Sequence, residues 1–215
     1  MKYWISKYPT LLHERFNTNF IIEGCRLILD NNCFEFNLSY YKQILGTAMG
    51  TKFAPAYATL VLGYLEETLF TNLSTKFSNE SVHEIKTKYF RYLDDILCIW
   101  DLRRGEISIL QEELGTLDNQ LTFKCDQFGN QVNFLDLKLC KENNIIQTDI
   151  FYKATDSHQY LDFKSNHPRH VKANIPFNLA RRICTLVSKQ EWRNICLTEL
   201  SSFLTTFHYH KSLIN

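Results

Sequence analysis

The segment that most constrains this chain is Arg91-Tyr92-Leu93-Asp94-Asp95, which lies between two short runs of strand-forming residues. Aromatic residues precede the acidic pair and Ile96-Leu97-Cys98-Ile99-Trp100 follows it, so we predict a β-hairpin with Asp94-Asp95 as a tight turn. Adjacent carboxylates beside apolar strands repel each other and are costly to ionise, and a divalent cation removes both problems. The pattern therefore predicts that Asp94 and Asp95 bind Mg²⁺ for two-metal phosphoryl transfer. The alternative is an ordinary solvated turn.

A second informative segment runs from Gln43 to Pro55 and contains Gly46, Gly50 and Lys52. The glycines allow sharp turns and close approach of the backbone to a ligand. The segment ends at a predicted helix N-terminus, whose free N–H groups favour anions, and Lys52 adds a positive charge there. These features are typical of a nucleotide-binding loop, and a loop that only caps a helix is the alternative.

Composition indicates a globular intracellular protein. The chain has 215 residues, 45% apolar and 22% charged, with four prolines and no run of 18 apolar residues. Its start lacks the apolar core of a signal peptide, so we expect the nucleus or the cytoplasm and neither secretion nor a membrane. The seven cysteines include no CxxC pair, which favours reduced, buried thiols. Several histidines cluster near the C-terminus, but without matched cysteines we expect structural or phosphate-contacting roles, not zinc binding (His158, His167, His170, His208, His210).

The net charge of +1 hides an asymmetry. From Lys164 onward eight Lys or Arg residues stand against two Glu, giving +6 and leaving −5 for residues 1–163. An acidic part that holds metal joined to a basic part that holds phosphates fits this distribution, as does a solvated basic helix face.

Hydrophobic periodicity predicts an α+β chain. We expect helices at Thr18–Leu29 with Thr18 as N-cap, from Pro55 to about Leu73, at Glu106–Leu117, at Pro176–Lys189, and along the stripe Trp192, Cys196, Leu200, Phe203 and Phe207. Besides the acidic hairpin, we expect strands at Cys33–Leu38, Tyr40–Ile44, Leu121–Cys125, Val132–Cys140 and Ile145–Tyr152.

Several motifs together resemble the reverse transcriptases of Penelope-like retroelements. Gln43-x-x-Gly46-Thr47-Ala48-Met49-Gly50-Thr51-x-x-Ala54-Pro55 is similar to motif B of that family, Tyr92-Leu93-Asp94-Asp95 to motif C, and Phe134-Leu135-Asp136 to the strand segment after motif D. Two segments are similar to the family's palm-to-thumb region, Thr148-Asp149-Ile150-Phe151-Tyr152-Lys153 and Ser165-x-His167-Pro168-x-His170. The match continues at Asn174-Ile175-Pro176 and Ala180-Arg181-Arg182-Ile183-Cys184. The matches occur in the family's order along nearly the whole chain.

The resemblance implies a partial right-hand palm, an antiparallel sheet with helices on one face, at residues 1–153, followed by a basic helical thumb at 154–215. It implies RNA-directed DNA synthesis with two Mg²⁺ ions, deoxynucleotides, an RNA template and a DNA primer. Asp94 would be the stronger metal ligand and Asp95 a supporting one. Residues that would contact template or nucleotide are Gln43, Gly46, Met49, Gly50, Lys52 and Tyr92. Residues that would grip duplex phosphates are Arg169, Lys172, Arg181 and Arg182. The lysine that assists the leaving group in motif D would be Lys124, Lys138 or Lys141.

One departure from the family is serious. Its motif A, a strand ending in a catalytic Asp, should lie before the residue-20 helix, yet no Asp occurs before Asp30. Because a two-metal site needs carboxylates from two strands, we expect a truncated and inactive palm. The alternative is a non-catalytic nucleic-acid-binding relic or domesticated domain. A metal-dependent nuclease is disfavoured because no second acidic cluster is present.

Overall fold

The computed structural model describes residues 1–100 and 106–214, as a mixed α+β chain with small antiparallel sheets. The chain divides into two compact units, Met1–Phe123 and Lys124–Asn215. The functional boundary after residue 153 stays a prediction. No helix in the described part is long and apolar enough to cross a membrane.

The first unit contains five helices and two hairpins among its described residues. The helices are α1 Lys2–Lys7, α2 Thr18–Asp30, α3 Phe53–Lys76, α4 Asn79–Thr87 and α5 Ile107–Thr116, with a 3₁₀ turn at Pro9–Leu11. The strands are β1 Cys33–Phe36, β2 Ser39–Lys42, β3 Tyr89–Tyr92 and β4 Asp95–Cys98. β1 pairs with β2 and β3 with β4, both antiparallel.

The core of this unit forms around the C-terminal half of α3. Leu69 and Leu73 are fully buried there and pack with Val82 and Ile85 of α4 and Leu110 of α5. Helix α4 was not predicted, since its sequence is mostly polar. It starts after Ser78, whose hydroxyl accepts a hydrogen bond from the Ser81 N–H.

The segment before α3 has a largely exposed apolar surface. Helix α2 contains no buried residue, and all eight residues of β1 and β2 are exposed. Its exposed apolar residues include Phe20, Leu27, Phe34, Phe36, Leu38 and Tyr40. The predicted N-cap of α2 was wrong by one residue, because Asn17 accepts the hydrogen bond from the Asn19 N–H and Thr18 is already helical.

Among its described residues, the second unit contains one three-stranded sheet and three helices. The strands are β5 Gln131–Phe134, β6 Leu137–Glu142 and β7 Ile145–Ile150, in the order β5-β6-β7, and the helices are α6 Arg169–Leu186, α7 Gln190–Thr206 and α8 Lys211–Ile214. The predicted strand Val132–Cys140 is two strands, because Leu135 takes a positive φ of 55° and reverses the chain. The predicted strand Leu121–Cys125 does not form.

Helix α6 begins at Arg169, earlier than predicted, and Pro176 lies buried inside it. Proline lacks the N–H that would bond to the carbonyl of residue 172, so it usually marks a helix start, but here burial of its ring offsets that loss. Ile183 of α6 packs with Cys196, Leu200 and Leu204 of α7 and with Ile150 of β7. Of the stripe predicted on α7, Cys196 and Leu200 are buried in the core and Trp192 and Phe207 pack against it.

The loop from α6 to α7 is fastened to the edge of β7. The Ser188 N–H donates to the Thr148 carbonyl at 2.9 Å, and the Thr148 hydroxyl donates to the Leu186 carbonyl at 2.6 Å. The prediction of reduced, buried thiols holds in part. All seven cysteines are free, and Cys196 is buried, but Cys33, Cys125 and Cys184 are exposed.

Candidate active site

The acidic hairpin forms as predicted, but its turn is shifted by one residue. Tyr92 pairs with Asp95, so the two turn residues are Leu93 and Asp94, and Asp95 begins β4. Leu93 has a positive φ of 51°, a conformation that is unusual for a bulky side chain. The turn therefore presents Asp94 at its tip and Asp95 directly beside it.

Both carboxylates lack a partner in the part of the chain that the structure describes. Asp94 and Asp95 are exposed, and within residues 1–100 and 106–214 neither forms an ion pair or a side-chain hydrogen bond. Tyr92, on the preceding strand, is also exposed. Two adjacent unpartnered carboxylates supply the hard oxygen ligands that Mg²⁺ prefers, so these residues fit part of a divalent cation site.

The hairpin is tied to α3 through Arg91. Its guanidinium grips the Glu66 carboxylate with two contacts, Nε to Oε1 at 2.5 Å and Nη2 to Oε2 at 3.1 Å. The remaining nitrogen, Nη1, donates to the Leu93 carbonyl at 3.1 Å. Burial, the charge of Glu66 and a hydrogen bond to Glu66 together raise the pKa of the neighbouring Tyr89 phenol well above its ordinary value. Arg91 thus joins the helix, the strand and the turn.

Sequence reasoning missed the role of Glu66 and left Arg91 without a partner. The available signal was Glu66-Glu67 within an otherwise apolar stretch of α3, since an acid in such a stretch is usually paired. Hydrophobic periodicity does not reveal which basic residue of a strand pairs with Glu66.

The predicted nucleotide loop connects β2 to the start of α3. Gly46 and Gly50 both have positive φ, 76° and 93°, so the loop uses glycine where the backbone requires it. Gln43 donates from Nε2 to the Leu45 carbonyl at 2.8 Å and so braces the loop internally. Met49 is fully exposed, and Lys52 is exposed directly before α3.

The loop and the acidic hairpin share α3 as their support. The loop leads into its N-terminus, and Arg91 contacts its Glu66 and, with Nη2, the Thr59 carbonyl at 3.5 Å. In the part of the chain that the structure describes, no group of three or more His, Cys, Asp or Glu side chains could hold a metal ion. The site therefore offers two of the carboxylates that a two-metal centre needs.

The basic residues expected to contact phosphate divide into two pairs. Arg169, at the start of α6, and Arg181, whose guanidinium lies 5.9 Å from the Phe177 ring, are exposed. Lys172 instead donates to the Phe163 and Ser165 carbonyls at 2.8 and 2.7 Å. Arg182 pairs with Asp136 at 2.6 Å. Arg169 and Arg181 are therefore the members of the predicted set with cationic groups available to a ligand.

The histidines have separate surroundings. His158 stacks on Phe203 with centroids 4.4 Å apart, and His208 contacts the Asp162 carboxylate at 3.0 Å. His167 bonds to Ser165, and His210 packs edge-on against Phe163. Of the three candidate motif D lysines, Lys138 and Lys141 lie on β6 and Lys124 precedes the sheet, and the choice among them stays open.

The C-terminal helices match a known family model. Residues 159–215 are similar to an animal helix-turn-helix domain. No curated protein and no solved structure matches the chain. In the matched region α6 and α7 follow each other through residues 187–189, a short connection of the kind that helix-turn-helix motifs have.

Proposed function

We propose that this chain is part of the palm and thumb of a retroelement reverse transcriptase, an RNA-directed DNA polymerase. The observation that carries the proposal is the β3–β4 hairpin, where two adjacent exposed carboxylates have no partner among the described residues and the turn is hydrogen-bonded to Arg91, which pairs with Glu66 of α3. The corresponding carboxylate of the β5–β6 turn, Asp136, is instead paired with Arg182 at 2.6 Å.

The residues have distinct roles in this proposal. Asp94 and Asp95 would hold Mg²⁺, and the ion would supply charge stabilisation when a primer 3′-hydroxyl attacks the α-phosphate of a deoxynucleotide and pyrophosphate leaves. The loop with Gly46 and Gly50 brings backbone close to the incoming nucleotide, and Lys52 places a positive charge at the start of α3. Tyr92 lies beside the carboxylates, where it would contact the template–primer.

The basic surface of α6 is proposed to contact the phosphates of the nucleic acid. Arg169 and Arg181 supply the charge, and the exposed Phe177 lies between them on the same helix. Lys172 and Arg182, also expected to bind phosphate from sequence, have protein partners and serve as matched controls.

Localised cleavage tests the metal site. Fe²⁺ replaces Mg²⁺ at carboxylate sites and, with a reductant and peroxide, generates hydroxyl radicals that cut the nearby backbone. We expect cleavage around residues 93–96 that is suppressed by excess Mg²⁺ and lost in the Asp94→Asn/Asp95→Asn double variant. Asp136→Asn, at the β5–β6 turn, should leave the pattern unchanged. Cleavage elsewhere, or cleavage that survives the double substitution, would refute the proposed metal site.

A primer-extension assay asks whether the chain polymerises unaided. With primed RNA template, Mg²⁺ and deoxynucleotides we expect no extension, because the described residues bring only two carboxylates together. Extension that disappears in Asp94→Ala would support the polymerase assignment and contradict the expected inactivity.

The second candidate function is non-catalytic nucleic-acid binding, and the helix-turn-helix match of residues 159–215 favours it. In such motifs the second helix enters the major groove, which here would be α7. The exposed face of α7 carries Glu191 and Glu199, and its Arg193 is bonded to Gln190 and the Val187 carbonyl. Charge therefore favours α6 over α7 as the contact surface.

Two single substitutions separate these surfaces. Asn178→Glu on α6 and Thr198→Glu on α7 both add a negative charge at an exposed position. We expect the first to weaken binding to duplex DNA and an RNA–DNA hybrid and the second to leave it unchanged. Arg169→Gln and Arg181→Gln should each lower the salt slope on duplex DNA by about 0.9. Loss of binding in Thr198→Glu alone would instead favour helix-turn-helix recognition through α7.

A further inference from the structure

We propose that Arg91 and Glu66 are positioning residues that hold the Asp94–Asp95 turn in a preformed geometry for a divalent cation. The inference rests on the proposed function, because it assigns a role to groups that support the two carboxylates. It goes beyond that function by naming residues that do not touch the metal yet determine how well it binds.

The first observation is how the guanidinium of Arg91 is shared. Two of its nitrogens bind the carboxylate of Glu66 side by side, and the third reaches the carbonyl of Leu93, the first turn residue. A planar guanidinium has fixed donor directions, so orienting it on Glu66 also fixes the donor that meets the turn. The position of the turn is therefore fixed relative to the rigid helix α3.

The second observation is the strain of the turn. Leu93 has a positive φ of 51°, a conformation that is unusual for a bulky residue and that Leu135 also adopts in the β5–β6 turn. At Leu93 the Nη1 bond to the carbonyl adds a restraint, since rotation of the peptide between Leu93 and Asp94 would break that bond. Asp94 follows directly, so the same bond limits where its carboxylate points.

The third observation is the shielding of the pair. The side chains of Arg91 and Glu66 are 11% and 21% exposed, whereas Asp94 and Asp95 are open to solvent. Solvent and salt therefore weaken the supporting pair less than they would an exposed one. A largely shielded ion pair thus supports two carboxylates that are accessible to a metal ion, an arrangement that is also found around the ligands of metal sites.

Metal affinity measured by terbium luminescence tests the proposal. Tb³⁺ takes oxygen ligands, and its emission can be sensitised by the neighbouring Tyr92, so titration of Tb³⁺ alone, followed by displacement with Mg²⁺, reports on this site. We expect Arg91→Gln and Glu66→Gln to weaken Tb³⁺ binding by about tenfold or more, the range known for outer-shell groups. Folding is checked by near-UV circular dichroism at the same temperature.

Arg91→Lys separates positioning from simple pairing. Lysine keeps the charge that Glu66 needs, but its single ammonium group cannot hold the carboxylate with two bonds and meet the Leu93 carbonyl with a third donor. We expect this variant to recover most of the thermal stability lost in Arg91→Gln while Tb³⁺ affinity stays reduced. Recovery of both together would mean that the pair is only structural.

The matched control is the Lys76–Glu113 pair, which joins the same helix α3 to α5 at 2.5 Å away from the turn. Lys76→Gln should lower stability without changing Tb³⁺ affinity. If Asp94→Asn/Asp95→Asn abolishes the signal but Arg91→Gln and Glu66→Gln do not weaken it, positioning is refuted and the metal site stands. If the double Asp variant keeps full affinity, the metal site and the positioning role are refuted together.

Discussion

Two hairpins of this protein have the same turn and opposite electrostatic surroundings. In β3–β4 the turn is Leu93-Asp94 and in β5–β6 it is Leu135-Asp136, and in both the leucine has a positive φ, 51° and 55°. Asp136 is neutralised by Arg182 at 2.6 Å, whereas Asp94 has no partner among the described residues. Turn geometry therefore does not identify a functional Asp. The presence or absence of a protein partner separates the two.

The cations beside the two hairpins differ in the same way. Arg182 reaches the Asp of its turn directly, from a side chain that is 44% exposed. Arg91 instead bonds to the backbone of its turn and gives its charge to Glu66. Arg182 thus neutralises the carboxylate of its turn, whereas Arg91 supports the backbone of its turn and does not neutralise the carboxylate.

The largest expected difference between the two hairpins is the effect of removing their carboxylates on the stabilisation of the protein by a metal ion. Because a ligand that binds only the folded state stabilises it, Mn²⁺ at ten times its Kd should raise the free energy of unfolding by about 1.4 kcal/mol. We expect Asp94→Asn/Asp95→Asn to remove this gain and Asp136→Asn to keep it. Urea unfolding with and without Mn²⁺ measures the effect. Equal loss in both variants would mean that the turns do not differ in metal binding.

Stability without metal should separate the hairpins in the opposite sense. Asp94→Asn relieves repulsion between adjacent carboxylates, so the melting temperature at neutral pH should stay constant or rise slightly. Asp136→Asn leaves Arg182 unpaired and should cost about 0.2–1 kcal/mol. Thermal melts in metal-free buffer compare the two. A drop of several degrees for Asp94→Asn would contradict its being partner-free and favour a structural turn.

The smallest expected effect concerns salt. A double-mutant cycle on Asp136 and Arg182 should give a coupling energy within the few tenths to one kcal/mol of exposed pairs, and it should fall toward zero near 1 M salt, where the Debye length is about 3 Å. The same cycle on Glu66 and Arg91 should keep most of its coupling, since those side chains are largely shielded. If salt lowered both coupling energies equally, the Glu66–Arg91 pair would be no better shielded than the exposed Asp136–Arg182 pair.

The sequence predicted the acidic hairpin and the glycine loop because their signals are local. Short runs of strand-forming residues on either side of the acidic pair define the hairpin, and Gly46 and Gly50 occupy positive-φ positions, as a sharp turn requires. It did not predict the reversal at Leu135, since leucine carries no turn signal and its conformation there depends on the sheet around it. Pro176 misled the prediction of α6 because proline favours the first helical turn, although here the ring is buried in mid-helix.

The sequence suggests ligands for the candidate site but not the residues that support them. Asp94 and Asp95 follow from residue type and spacing and Tyr92 from the family resemblance; their roles stay predictions, and the structure has all three residues exposed. The Arg91–Glu66 pair joins residues 25 positions apart, and only the packing of α3 against the hairpin brings them together. The family resemblance and the basic charge of the region predicted that Lys172 and Arg182 bind phosphate. Neither signal can show that a protein carbonyl or carboxylate already bonds to these side chains.

The β1–β2 hairpin has a practical consequence for anyone who handles this protein. Its two strands pair only with each other among the described residues, so each has an outer edge of unsatisfied N–H and C=O groups beside exposed aromatic rings. Such an edge is a template for strands from other molecules. Concentrated samples should therefore self-associate through residues 33–42, and a lysine at Phe36, next to the turn, should delay that association without touching either acidic hairpin.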